Sequence, residues 1–189
     1  GTILAFGDEL LKLHDFRRAR WGLRRTFQTQ QAIEELSVYD NVAMVHEHSS
    51  RDRGSRRQDV LGALELVGLD IPPKTKVGGL GARERRLVEV ARAVVGKPRV
   101  VLLDEPAAGL PAEETAHLGG IIRRIPDHVG ALVILVDHDM TLVSSCCTTT
   151  AVLDFGKLIA SGSTAEVLRD ENVIRAYLGT EENVVEETA

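Results

Sequence analysis

Val100-Val101-Leu102-Leu103-Asp104-Glu105-Pro106 is the stretch on which the reading of this chain turns. Four apolar residues run without interruption into two adjacent carboxylates. A short continuous apolar run is the pattern of a strand covered on both faces, as in a parallel sheet flanked by helices. Acids where such a strand ends stand at the carboxyl edge of the sheet, where open α/β sheets bind ligands. Taken alone, the stretch is equally an ordinary core strand followed by a solvated acidic turn. The rest of the chain separates the two.

Leu132-Val133-Ile134-Leu135-Val136 repeats the pattern and runs into Asp137-His138-Asp139. Between the two runs, Ala107-Ala108-Gly109-Leu110 reads as a turn. Pro111-Ala112-Glu113-Glu114 then has the form of a helix start, proline and acids in the first turn, and the helix continues from His117 to Ile125. Two buried strands joined by one helix make a right-handed β-α-β unit with parallel strands. Asp104, Glu105 and His138 are therefore expected at one sheet edge, where two carboxylates and an imidazole can hold a metal, orient a water and sense a phosphate.

Working outward toward the N-terminus, Arg24-Arg25-Thr26-Phe27-Gln28 is a strand-forming stretch that ends in a carboxamide. Gln28 is either a surface glutamine or a donor and acceptor for a metal or water at the same edge. Arg17 to Arg25 is basic around Trp21 and Gly22, and Gly1 to Leu13 reads as an edge strand, a turn and a short helical piece. From Ala32 the pattern becomes helical, with Ser37 as N-cap of the run through Val42. His46 to Arg57 is polar and expected in solvent. His46 and His48 lack the carboxylates or cysteines that would complete a metal site. Val60 to Val67 forms a helical stripe ending at Gly68. After Ile71-Pro72-Pro73, the glycine-rich Val77-Gly78-Gly79-Leu80-Gly81 leads into a helix, Ala82 to Val95, which Gly96-Lys97-Pro98 stops. Such a turn can bind anions through backbone N–H groups and the helix dipole, or serve only as a loop.

Beyond His138 the chain reads as a helix from Met140 to Ser145 and a hairpin over Ala151–Gly162. A helix capped by Ser163 and Thr164 follows, Ala165 to Arg169, and then an acidic tail from Thr180. The 189 residues, 43% of them hydrophobic, suffice for one substantial core, or one core and a small subdomain. A net charge of -5 with interspersed signs gives no support to a nucleic-acid partner. There is no secretory signal and no bilayer-spanning apolar run. Cys146 and Cys147 are adjacent, a spacing that rarely makes a disulfide. They are read as two buried small apolar residues in a reducing, cytosolic compartment.

The order of these pieces resembles an ATP-binding-cassette (ABC) ATPase: Phe27-Gln28, the glycine-rich turn into Glu89-Val90-Ala91-Arg92-Ala93, the Val100–Pro106 stretch, Ala107–Leu110, and Val136-Asp137-His138-Asp139. Arg25-Thr26-Phe27-Gln28, Asp137-His138-Asp139-Met140 and Val173-Ile174-Arg175-Ala176-Tyr177-Leu178-Gly179 resemble the branched-chain amino-acid importer subgroup. The resemblance implies an α/β, P-loop NTPase-type fold, a mostly parallel sheet with an inserted helical subdomain. The core would be 1–28 and 97–189 and the subdomain, with the signature region, 29–96. It implies ATP and Mg²⁺ as cofactors, Asp104 and Gln28 as metal-holding residues, Glu105 as the residue polarising the attacking water, and His138 as the switch near the γ-phosphate. Leu80, Gly81, Arg83 and Glu84, with Gln28, would contact nucleotide. Transmembrane permease subunits and a second ATPase subunit would be partners, on the cytoplasmic face of the cell membrane.

Three features depart from that pattern. No G-x-x-x-x-G-K-[S/T] phosphate loop occurs in the 189 residues, so the chain reads as N-terminally truncated and inert by itself. Arg83 stands where the signature turn has glycine, and Pro111 where an aspartate or asparagine follows the leucine. A non-catalytic cassette that only docks to a partner is the alternative. A soluble cassette in DNA repair or translation is disfavoured by the lack of a basic face or a long inserted coiled coil.

Overall fold

Short apolar strands separated by amphipathic helices build a three-stranded parallel sheet with a helical layer beside it. The computed structural model describes residues 1–49 and 54–176, which fall into two units, Gly1–Val136 and Asp137–Ala189. Among the described residues no helix is long and apolar enough to cross a membrane.

The first unit opens with a two-residue-per-strand hairpin, β1 (Leu4–Ala5) and β2 (Asp8–Glu9), then α1 (Asp15–Trp21). The expected edge strand is thus a hairpin. Trp21 Nε1 donates to Asp8 at 2.7 Å, and the Arg99 guanidinium lies 4.2 Å from the Trp21 ring. Gly22 closes α1 at φ 113°, and a Cβ there would sit 2.9 Å from the Arg99 backbone nitrogen. Only glycine fits so tight an approach. β3 (Leu23–Arg25) follows at once and pairs in parallel with β4 (Val100–Asp104). β4 pairs in turn with β5 (Leu132–Val136), giving the order β3-β4-β5.

Between β3 and β4 lie α2 (Val38–Ser49), α3 (Arg56–Leu66) and α4 (Ala82–Val94), which pack on one another. Ser37 caps α2 as its sequence predicts, its hydroxyl accepting the Asp40 N–H at 3.0 Å. α5 (Ala112–Val129) joins β4 to β5, with Pro111 at its N-cap and Glu113 and Glu114 in its first turn. It runs on past Ile125 through Pro126 to Gly130, whose left-handed backbone ends it. The core holds Val101, Leu103, Val88, Val90, Leu118, Ile121 and Ile125.

Two further expectations fail in this unit. β4 is covered as predicted, but β5 is not: Leu132, Ile134 and Val136 are 53%, 46% and 60% exposed. β5 is an end strand, so its outer edge lacks a partner among the described residues, and the face carrying these three side chains is also left open. His46, expected in solvent, is fully buried, its Nε2 2.8 Å from Asp59. The Ser55 hydroxyl donates to the same carboxylate at 2.7 Å. A polar run can still send one side chain inward when a partner on the next helix meets it, here at Nε2 alone, since the buried Nδ1 has no hydrogen-bond partner among the described residues.

The second unit holds α6 (Met140–Cys146), the antiparallel pair β6 (Thr149–Asp154) and β7 (Lys157–Ser163), and α7 (Thr164–Val167). The Asp139 carboxylate caps α6, accepting N–H groups of Thr141 and Leu142. Phe155 and Gly156, at φ 43° and 77°, make the two-residue turn of the hairpin. Cys146 and Cys147 are half-buried free thiols rather than core residues. Partial burial, then the neighbouring Cys147, pushes the Cys146 thiol up to about 12. α7 is shorter than the predicted 165–169 helix, and the tail from Thr180 lies outside the described residues.

Candidate functional site

The carboxyl ends of β3 and β4 bring four chemically active side chains together. Register decides which. Arg25 lies opposite Leu102, and Asp104 is two residues further along β4, so both side chains belong to the same face of the sheet. Arg25 donates to Asp104 Oδ2 at 2.8 Å and stacks 5.0 Å from the Phe27 ring. Arg24 belongs to the opposite face and is buried, donating to the carbonyls of Ala19 and Leu23. Burial pushes its guanidinium down to about 10.

Beyond β3, the Thr26 N–H donates to the Leu102 carbonyl at 2.9 Å, and the Thr26 hydroxyl accepts the Asp104 N–H at 3.2 Å. These two bonds tie the strand ends together and deliver the next residues to the edge. Gln28 Nε2 donates to Glu105 Oε2 at 3.0 Å. Glu105 sits at φ 42°, a left-handed backbone that costs a non-glycine residue about 1–2 kcal/mol. Its N–H is held by the Val136 carbonyl at 2.8 Å. The strained turn redirects the chain at the end of β4, so that adjacent acids meet different partners, Asp104 an arginine and Glu105 a carboxamide.

Gln28, Asp104 and Glu105 are thus a cluster, although 77 residues separate Gln28 from Glu105. His138 belongs to the second unit. It follows β5 by two residues, and its exposed Nδ1 is 3.8 Å from Asp137. Leu80, Gly81, Arg83 and Glu84 occupy another element, the start of α4. Leu80 is buried, Gly81 is the N-cap, and its N–H donates to Glu84 at 2.9 Å, the half of a capping box that a glycine can make. Arg83 is exposed, 3.4 Å from His117 on α5.

Sequence reasoning missed Arg25, Thr26 and Arg85 as organising residues. Arg85 donates to Glu34, to the Gly78 carbonyl and to the Leu80 carbonyl at 2.6, 2.9 and 3.0 Å, which fixes the glycine-rich turn. Only the density of arginine around both turns hinted at this. Gln31 was missed as well. Its N–H donates to the buried Glu89 of α4 at 3.0 Å, linking the segment after Gln28 to that helix.

Among the described residues no group of three or more His, Cys, Asp and Glu could hold a metal. Mg²⁺ does not require one: it is commonly held by one or two carboxylates, with waters and substrate phosphates completing the shell. Asp104 fits that use, since its carboxylate is 31% exposed and already carries a cation, the Arg25 guanidinium.

The sequence pattern of the ABC transporter family matches residues 1–108, and that of the branched-chain amino acid ATP-binding cassette transporter matches residues 157–183. The chain is 32% identical to the high-affinity branched-chain amino acid transport ATP-binding protein BraF of Pseudomonas aeruginosa, over 95% of this chain and 76% of that protein. The same figures hold for LivG of Escherichia coli. The methionine import ATP-binding protein MetN of Ralstonia nicotianae is also 32% identical, across 95% of this chain and 52% of that protein. In fold, the chain resembles the ADP conformation of MJ1267, an ATP-binding cassette of an ABC transporter (TM-score 0.73, 21% identity, 91% of this chain and 74% of that one). It also resembles the ADP- and Pi-bound dimeric cassette MJ0796 (TM-score 0.71, 19% identity, 85% and 72%). The parallel sheet, the acids at its edge and these matches agree: the chain belongs to the ABC transporter family, among relatives that are ATP-binding proteins of branched-chain amino acid transport.

Proposed function

We propose that the whole protein is the ATP-hydrolysing subunit of an ABC importer that takes up branched-chain amino acids or related solutes. It would work as one of two ATPase subunits bound to transmembrane permease subunits, on the cytoplasmic face of the membrane. The observation that carries this reading is the Gln28–Glu105 hydrogen bond beside Asp104 at the sheet edge. The match over residues 157–183 and the names of the relatives support the solute class. In this reading residues 1–28 and 97–189 are the ATPase core and 29–96 the helical subdomain, the latter supported by the mutual packing of α2, α3 and α4.

Each residue has a distinct task. Asp104 holds Mg²⁺, which when bound neutralises charge on the triphosphate. Glu105 accepts a hydrogen bond from the attacking water and draws off its proton. Gln28 holds the Glu105 carboxylate in place and offers its own oxygen to the water or metal. By the family resemblance, His138 would be the switch near the γ-phosphate. Leu80, Gly81, Arg83 and Glu84 face the nucleotide of the partner subunit.

The test is Glu105→Gln in the whole protein. The amide is nearly isosteric but cannot take the proton, so turnover should fall roughly a hundredfold or more while MgATP binding persists. Turnover near the unsubstituted rate sinks the assignment. A second reading, a cassette that docks without turnover, is favoured by Arg83, whose exposed side chain stands at the signature glycine position. Under that reading Glu105→Gln changes nothing, because the unsubstituted protein is already inert.

A further inference from the structure

The Arg25–Asp104 pair occupies the carboxylate to which a metal would bind. We propose that Arg25 is a positioning residue: a built-in counter-cation that holds Asp104 until a hard divalent cation arrives, and must then leave it. The inference rests on the reading of Asp104 as the metal-holding acid.

Register places Arg25 and Asp104 on one face, so the 2.8 Å bond follows from the parallel pairing of β3 and β4. The bond is directed at Oδ2, and two cations cannot share one oxygen without strong like-charge repulsion. Arg25 is 53% exposed and Asp104 31%. An ion pair this open is weak and easily displaced, so it would lower the affinity of a competing cation by only about two- to fivefold. Strength in that range suits a placeholder better than a structural clamp.

The surroundings also provide for the departure. The guanidinium rests 5.0 Å from the Phe27 ring, a contact that survives small rotations. Arg25 and Phe27 line a cleft of about 80 Å³ together with Gln31 and Glu89, several times the roughly 10–15 Å³ that one water needs. A displaced guanidinium therefore has space and an aromatic face within its own neighbourhood; Glu89 is already taken by Arg92 at 2.8 Å and by the Gln31 N–H. Gln28 bears on Glu105 and not on Asp104, so losing Arg25 leaves the water-polarising pair intact.

The experiment uses the 189-residue chain with Mg²⁺ and Mn²⁺ as probes. In the unsubstituted chain, the Arg25 side-chain N–H resonance should shift saturably as Mg²⁺ is added. Paramagnetic broadening of the amides of residues 104–106 by Mn²⁺ gives the affinity. Arg25→Gln should tighten Mn²⁺ binding two- to fivefold, Arg25→Lys should behave like the unsubstituted chain, and Asp104→Asn should lose binding. If Asp104→Asn loses binding while Arg25→Gln leaves affinity unchanged, the role of Arg25 is overturned and that of Asp104 stands. If Asp104→Asn binds as before, Asp104 is not the ligand and both fail. Should Arg25→Gln not fold, the Mg²⁺ titration of the unsubstituted chain decides: an Arg25 resonance unmoved at saturation overturns the proposal.

Discussion

The exposed face of β5 predicts self-association of the 189-residue chain. Leu132, Ile134 and Val136 alternate on one face of a strand whose outer edge is unpaired among the described residues. Fully burying one such side chain contributes about 1.5–3 kcal/mol. With roughly half of each exposed, covering all three recovers on the order of 2–4 kcal/mol, and an unpaired strand edge adds a template for hydrogen bonding. Ile134 sits at the centre of the face, so Ile134→Asp removes its share and imposes desolvation of a charge on any partner. That should weaken association tenfold or more, at about 1.4 kcal/mol per decade. Because Ile134 is nearly half exposed, the folded chain should tolerate the change. Val136→Lys, at a more exposed position, provides the independent variant. Sedimentation velocity across a wide concentration range is the assay. The unsubstituted chain should show concentration-dependent growth in size that both variants suppress. A unsubstituted chain that stays monomeric throughout refutes the argument, as does association that neither variant alters.

Three further outcomes are expected. Gly22→Ala should destabilise the fold by about 1–3 kcal/mol in a denaturant titration, because φ 113° is strained for alanine and its Cβ would meet the Arg99 backbone; unchanged stability means that α1 and β3 can part without cost. Asp59 supplies a pH dependence. Burial pushes its carboxyl up, but hydrogen bonds from Ser55 and His46 and the charges of His46 and Lys97 together hold it below its ordinary value. Its stabilisation is therefore complete above the unfolded carboxyl pKa of about 3.9 and lost as pH falls through the lower folded value. The stability gap between the unsubstituted chain and Asp59→Asn should shrink below about pH 4; a gap constant down to the acid limit means that Asp59 ionisation contributes nothing. Finally, the 189 residues contain no phosphate-loop sequence, so calorimetric titration of this chain with MgATP should show no micromolar binding; a micromolar isotherm places the phosphate contacts elsewhere.

Much of the architecture was legible because it is local. The apolar run of β4, the proline and acids opening α5, Ser37 before α2 and the glycine turn of the β6–β7 hairpin are all short-range signals. Each reflects backbone preferences and capping chemistry contained within a few residues. The order of Gln28, Asp104-Glu105 and His138 likewise carried the family resemblance, since motif order belongs to the chain itself.

What the sequence could not supply was every property that depends on a neighbour from far along the chain. β4 and β5 have nearly the same apolar pattern, yet one is covered and the other open, because coverage depends on what packs against each strand, and the face of β5 that carries Leu132, Ile134 and Val136 stays exposed. His46 looks like part of a polar run until Asp59, on the next helix, meets it. Arg24 and Arg25 are adjacent and alike, but strand parity buries the first and sets the second on Asp104. The residue types of the candidate site were in the sequence. Their pairing, Gln28 with Glu105 and Arg25 with Asp104, was decided only by the parallel register of β3 on β4, a contact between segments more than seventy residues apart.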